Sequence, residues 1–154
     1  MSTSGPERVW AGLGPISNGG TVYDLAAHNQ QGARWYWAAT GCGIYVSRDG
    51  ETWKQRLSGL STPMLSSVAV APNGALFAGA LGGGLFSSFD YGQTWEQGSV
   101  PAESQATVTA LVASPNFARD GTVFAATDGG GLLVSRRSGD FWEESSFGLD
   151  ADTV

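Results

Sequence analysis

Two short stretches of the chain carry residue types used in nucleophilic, acid–base or anion-binding chemistry. Ser88 to Trp95 reads SFDYGQTW and places a hydroxyl, a carboxylate and an indole within eight residues. Gly41-Cys42-Gly43 sets a thiol between two glycines, which suits a phosphate-cradling loop or a nucleophile on a tight turn. A cysteine nucleophile needs an activating base or a depressed pKa. The single histidine, His28, reads as part of a different loop, between the first two strands. A phosphate loop of this kind also needs a following helix whose N-terminus faces the anion, and an apolar strand pattern follows Gly43 instead. Asp49 and Asp90 lack the further oxygen ligands that a calcium loop supplies at close spacing. One cysteine builds neither an intrachain disulfide nor a cysteine-based zinc site. No catalytic group, metal or cofactor is expected from these stretches.

The elements that position them repeat. YWAATGCGIYVS (36–47), FAGALGGGLFSS (77–88) and FAATDGGGLLVS (124–135) align without a gap. Each runs from an aromatic residue through a glycine-rich turn to an apolar pair and a serine. RDGETW, FDYGQTW or RRSGDFW follows at once, so Trp53, Trp95 and Trp142 share one repeat position at steps of 42 and 47 residues. An apolar strand precedes each block: TVYDLAA (21–27), LSSVAVA (65–71) and TVTALVA (107–113). Each unit thus holds four strands, A to D. In this register Cys42 takes the place of Gly83 and Gly130, which makes the Gly-x-Gly element a repeated B–C hairpin turn. Four antiparallel strands every ~40–50 residues predict an all-β chain, a β-propeller arc of about three blades. The single domain, 1–154, divides into an outer strand of a preceding blade and linker (8–20, with Trp10), blade 1 (21–59), blade 2 (60–100), blade 3 (101–149) and the start of a further blade (150–154).

Composition agrees with short strands and tight turns. Glycine occurs 23 times in 154 residues, charged residues make up 14%, and six tryptophans are present. A net charge of −6 argues against a nucleic-acid partner or an anionic membrane surface. The uncharged run from Leu57 to Phe89 is interrupted by Pro72-Asn73-Gly74 and reads as buried strands, not as a membrane span. The N-terminus has no signal-peptide pattern, and the compartment is not assigned.

At the residues after each serine the chain resembles the Asp-box, or bacterial neuraminidase repeat, family of β-propellers, with its motif Ser-x-Asp-x-Gly-x-Thr-Trp. Ser88, Asp90, Gly92, Thr94 and Trp95 match in full. Ser47, Asp49, Gly50, Thr52 and Trp53 match with one residue missing, and Ser135, Gly139 and Trp142 match with Arg137 in place of the aspartate. The resemblance implies that these turns are structural and lie away from the ligand-binding face. It implies two kinds of function. One is non-catalytic binding or scaffolding, with an unknown protein or carbohydrate ligand, as in sorting receptors and photosystem assembly factors. The other is a fragment of a sialidase-like or xyloglucanase-like glycoside hydrolase, with most catalytic residues outside this chain. For the second, Asp24 and Asp128 are the carboxylates that stand as candidates. Three blades do not close a ring of about 6–8, so the chain is expected to be part of a longer propeller, with assembly of copies into a ring as the alternative.

Antiparallel connection sorts the loops: A–B and C–D turns share one end of the sheets, B–C and D–A connections the other. Arg34, Arg48, Arg119, Arg136 and Arg137 fall at the first end, with Arg8 and Lys54 flanking it and Arg56 further along a D strand. Glu103, Asp128, Asp150 and Asp152 fall at the second, beside Cys42. Cys42, Glu103 and Asp128 are accordingly candidate ligand-face residues. This mildly acidic end is expected to favour a cationic or neutral polar partner.

Overall fold

Period-two alternation of apolar and polar side chains, cut by glycine turns, folds the described residues into twelve short strands. The computed structural model describes residues 20–145; Arg8, Trp10, Asp150, Asp152 and the segments expected over 8–19 and 146–154 lie outside them. Sheet I holds β1 (Val22–Gln30), β2 (Ala33–Thr40), β3 (Gly43–Ser47) and β4 (Trp53–Arg56) in that spatial order. Sheet II holds β5 (Leu65–Val70), β6 (Leu76–Ala80), β7 (Leu85–Ser88) and β8 (Glu96–Gln97). Sheet III holds β9 (Val108–Ala113), β10 (Val123–Thr127), β11 (Leu132–Ser135) and β12 (Glu143–Glu144). Every pairing within a sheet is antiparallel. The first strands β1, β5 and β9 stand beside one another, with β5 in the middle. A short helix α1 (Phe117–Asp120) interrupts the β9–β10 connection, and a 3-10 turn (Ala102–Ser104) interrupts the link from sheet II to sheet III.

Two apolar layers hold the sheets face to face. Between sheets I and II lie Trp37, Ile44, Leu65, Leu76, Phe86 and Trp95. Between sheets II and III lie Phe77, Leu85, Val108, Val123, Leu133 and Trp142, and Phe117 of α1 packs edge-on against Phe77 at 5.3 Å. Burial of each such side chain contributes about 1.5–3 kcal/mol, so the faces of sheet II supply most of the stability among the described residues. Both outer faces carry exposed apolar side chains. Leu25 on the face of β1 turned away from sheet II is 63% exposed, and Val112, which points the other way from its packed neighbours Leu111 and Ala113, is 60% exposed.

Two expectations change here. His28 is not in a loop: β1 runs on to Gln30, and His28 pairs with Trp35 across the β1–β2 ladder. The gapless alignment of the second strands also slips by one residue. Ser47 pairs with Tyr36, whereas Ser88 pairs with Leu76 and Ser135 with Val123. Trp37, not Tyr36, therefore stands in register with Phe77 and Phe124. The cause is the B–C turn, which needs only Gly41-Cys42 between Thr40 and Gly43 in sheet I. It spans three residues in the other sheets, closed by Ala80 N–H to Gly84 O at 3.0 Å and Thr127 N–H to Gly131 O at 3.1 Å.

The connections are built for close approach. Trp95 N–H donates to Ser58 O at 2.9 Å and Trp142 N–H to Ser99 O at 2.9 Å, so each linker is sewn to the motif turn of the next sheet. Gly59 lies against that seam with φ +88°, and a Cβ there would stand 1.8 Å from the carbonyl oxygen of Trp95. Gly59→Ala is expected to lower the unfolding free energy by more than about 2 kcal/mol, since main chain must move. Gly32→Ala, at φ +79° but with open space around it, is expected to lose only about 1 kcal/mol from backbone strain. Urea unfolding midpoints of the two variants check this difference; equal losses would mean that the seam is not tight.

Candidate functional site

The Ser-x-Asp-x-Gly-x-Thr-Trp turns satisfy themselves. In sheet I the Ser47 hydroxyl donates to Asp49 Oδ1 at 3.0 Å and accepts Gly50 N–H at 2.8 Å. Asp49 Oδ1 also accepts the N–H groups of Glu51 and Thr52 at 2.8 and 2.7 Å. In sheet II the Ser88 hydroxyl donates to Asp90 at 2.8 Å and accepts Gly92 N–H at 2.9 Å, while Thr94 gives Asp90 both its N–H and its hydroxyl. In sheet III, where Arg137 replaces the aspartate, Ser135 still accepts Gly139 N–H at 2.9 Å. All three indoles close the turn in one way: Trp53, Trp95 and Trp142 donate Nε1–H to the carbonyls of Gly50, Gly92 and Gly139 at 3.3, 3.1 and 3.0 Å. Trp95 (3% exposed) and Trp142 (0%) are buried against the preceding sheet, and Trp53 is half-buried. The residue missing from the first turn corresponds to Tyr91 and Ser138, which hold φ of +62° and +55°.

These bonds fix the ionisation of the carboxyls. Backbone N–H groups of Thr52, then Glu51, hold Asp49 down at about 2. For Asp90 burial pushes upward, but the Thr94 hydroxyl and N–H and the Ser88 hydroxyl together outweigh it and lower the pKa. Asp120, at the end of α1, is lowered by the Ser114 hydroxyl and Thr122 N–H. A carboxylate whose charge is spent on its own turn is a poor proton donor or base near neutral pH.

At the other end of the sheets the candidate ligand-face residues occupy connections, as the alternation of loops requires. Cys42 is half-buried in its two-residue turn, its N–H donating to Thr40 Oγ1 at 3.0 Å and its carbonyl accepting Gln55 Nε2 at 2.6 Å. Glu103 is exposed on the 3-10 turn. Asp128 is exposed in the β10–β11 turn, and its N–H donates to Thr107 O at 2.8 Å, so the 101–107 linker lies beside that turn. Asp24 is held elsewhere: its Oδ2 accepts Val68 N–H at 3.0 Å and ties sheet I to sheet II, while Asp128 belongs to sheet III. No three His, Cys, Asp or Glu side chains group as a metal ligand set among the described residues.

Sequence reasoning missed a cleft of about 440 Å³ between sheets I and II. Trp35, Val46, Lys54 and Arg56 line it from sheet I, with Arg48, Asp49 and Thr52 from the first motif turn and Tyr91 and Gln93 from the second. The Tyr91 ring stacks on Trp35 at 4.6 Å between centroids, and the Arg48 guanidinium lies 4.1 Å from the Trp35 centroid. Tyr91 also accepts Trp37 Nε1–H on its carbonyl at 3.0 Å and donates its hydroxyl to Gln30. In the sequence Tyr91 occupies a motif position that any residue may fill. The paired Trp35 and Trp37, of which Trp35 has no aromatic counterpart in the other repeats, were the signal available there.

Three four-stranded antiparallel sheets, stacked with their first strands side by side and their last strands outermost, define a β-propeller architecture. The chain belongs to the DUF6242 beta propeller domain family, whose model matches residues 13–153. Among solved structures it is similar to YCF48 bound to D1 peptide (TM-score 0.63, 20% identity, covering 80% of this chain and 40% of that one). It is similar also to YCF48 from Cyanidioschyzon merolae (TM-score 0.61, 18% identity, 84% and 38%). A third is the extracellular domain of BT4673 from B. thetaiotaomicron (TM-score 0.61, 19% identity, 81% and 17%). The chain thus spans two fifths or less of the length of these structures. No curated protein matches it by sequence. No helix among the described residues is long and apolar enough to cross a membrane.

The depressed carboxyls predict acid sensitivity of a definite sign. Asp49 titrates near 2 in the folded chain and at about 3.9 when unfolded, so its contribution to stability is full above that upper value and is lost as pH falls toward the lower one. Asp49→Asn is expected to flatten the decline of melting temperature between pH 4 and 2 relative to the parent chain. Thermal melts followed by near-ultraviolet circular dichroism across that range check it.

Proposed function

We propose that the chain is part of a non-catalytic binding propeller built from Asp-box repeats, in which the Asp-box residues are structural. The observation that carries this reading is the engagement of Asp49 and Asp90 by their own turns, at each motif aspartate present. Carboxylates so engaged hold a loop in shape and leave the space between sheets to other side chains. Asp24 and Asp128, the pair considered for glycoside hydrolysis, belong to different sheets with different partners. The neighbour bound to D1 peptide supports protein binding as one use of this architecture, and the aromatic and amide groups of the inter-sheet cleft suit a carbohydrate equally. The acidic end with Cys42, Glu103 and Asp128 is the second surface of the same propeller, suited by its charge to cationic or neutral polar partners.

Two measurements test the reading together. Asp90→Ala is expected to destabilise the fold by about 1–3 kcal/mol, because the turn's N–H and hydroxyl groups lose their acceptor. A panel of aryl glycosides is expected to release no chromophore above the buffer rate. Turnover that Asp24→Asn or Asp128→Asn abolishes would overturn the non-catalytic reading, as would an Asp90→Ala protein of unchanged stability for the structural one.

A further inference from the structure

The cleft between sheets I and II is unlike its counterpart between sheets II and III, although the same repeat builds both. Lys54 pairs with Val46, one residue before the motif serine; at that register sheet II has Glu96 opposite Ser87 and sheet III has Glu143 opposite Val134. Two residues on, Arg56 is replaced by Gly98 and by Ser145. Trp35, two residues before the in-register Trp37, corresponds to Ala75 and Thr122. Across the gap Tyr91 and Gln93 correspond to Ser138 and Asp140 of the third turn. Gly98 also brings its main chain against the next turn, where a Cβ would stand 2.2 Å from Gly139 O. One gap is narrow, acidic and closed by main chain, whereas the other is open, aromatic and basic.

Of the cations of the open cleft, Arg56 donates Nη1–H to Gln55 O at 3.5 Å, and none is in an ion pair among the described residues. Among the described residues the ion pair found is Arg136 with Glu143, in sheet III. Asp49 also lines the cleft and is held ionised, its Oδ1 engaged by Ser47, Glu51 and Thr52, so three cations face one carboxylate there. Arg48 is already posed: its stem holds the guanidinium against Trp35, and Nε–H donates to Arg34 O at 3.2 Å, leaving the terminal nitrogens for a ligand. Three cations in one cleft of a chain with net charge −6 run against the average field and concentrate anions locally.

We infer that this cleft binds an anionic saccharide, a short sugar chain carrying a carboxylate or a sulfate. Its volume lies within the range of small-ligand pockets, about 300–1,000 Å³. Lys54, Arg56 and Arg48 take the anionic group as charge-assisted hydrogen-bond donors. The ring edges of Trp35 and Tyr91 offer apolar contact to a sugar ring, while the Gln93 side-chain carbonyl accepts from its hydroxyls, Gln93 Nε2–H being given to Asp90 O at 3.1 Å. The inference rests on the binding reading above and adds the chemistry of the ligand and the residues that select it.

The test is calorimetric titration of the chain with digalacturonate, a sulfated disaccharide, neutral cellobiose and an acetylated tetraglutamate peptide. Binding of at least one of the two anionic sugars, weakened by added salt and tighter than cellobiose by tenfold or more, is expected; the two sugar arms say which anion fits. The Lys54→Glu, Arg56→Gly double variant installs the residues of sheet II and is expected to reduce that affinity by tenfold or more. Its melting temperature is read alongside, and Arg48→Met provides a second, independent loss of affinity if the double variant unfolds. Tetraglutamate binding without sugar binding, equal affinity for cellobiose, or affinity unchanged in both variants would overturn the assignment. Chromatography of the titrated sugars separates the two proposals: cleaved digalacturonate would sink the non-catalytic reading alone, since the site would still have bound its ligand.

Discussion

Each indole that ends a motif turn is fastened to its own turn by Nε1–H and buried, where a preceding sheet is described, against that sheet. The rest of the structure depends on this arrangement. A four-stranded sheet with two apolar faces is unstable alone, and Trp95 and Trp142 convert that weakness into a rule for stacking. The turn sets the height of the indole, the indole sets the distance to the neighbouring sheet, and the linker then has to pass through what space remains. Gly59 and Gly98 occupy that space because side chains do not fit.

Much of this was legible in the sequence because turn chemistry is local. A serine, an aspartate and a glycine at fixed offsets bond one another whatever surrounds them, so the motif positions predicted the C–D turns, and repetition predicted the four-stranded units. What escaped was either one residue out of step or a matter of contact between units. The shorter turn at Gly41-Cys42 is invisible to a gapless alignment, since Tyr36 and Trp37 are both aromatic and only strand pairing tells which of them aligns with Phe77. His28 was misplaced because Asn29, a common turn residue, follows it, yet β1 runs through both to Gln30. The cleft escaped for a deeper reason: Trp35 and Tyr91 are 56 positions apart, and no periodicity links a strand start in one repeat with a filler position in the next.

The chain's charge also reads differently at the two scales. Summed over the sequence it is acidic, which says something about long-range repulsion of nucleic acid and nothing about a cleft shielded by its own walls. Within the cleft the balance is set by the charged side chains that line it. Asp49 lines the space as an exposed carboxylate kept ionised by the N–H groups of Thr52 and Glu51, and Arg48, Lys54 and Arg56 outnumber it. The same hydrogen bonds that stiffen the turn keep that carboxylate charged.

Tyr91 belongs by chain position to the second repeat, yet its ring, hydroxyl and carbonyl all engage Trp35, Gln30 and Trp37 of the first. The cleft is thus divided between two units of heredity. Copying either repeat alone, or exchanging it with another by recombination, would transmit half of the cleft and lose the whole. Repeat proteins are commonly regarded as beads that evolution can add, drop or shuffle; at this junction the bead boundary runs through the middle of the feature, so the two repeats must be inherited together for it to survive.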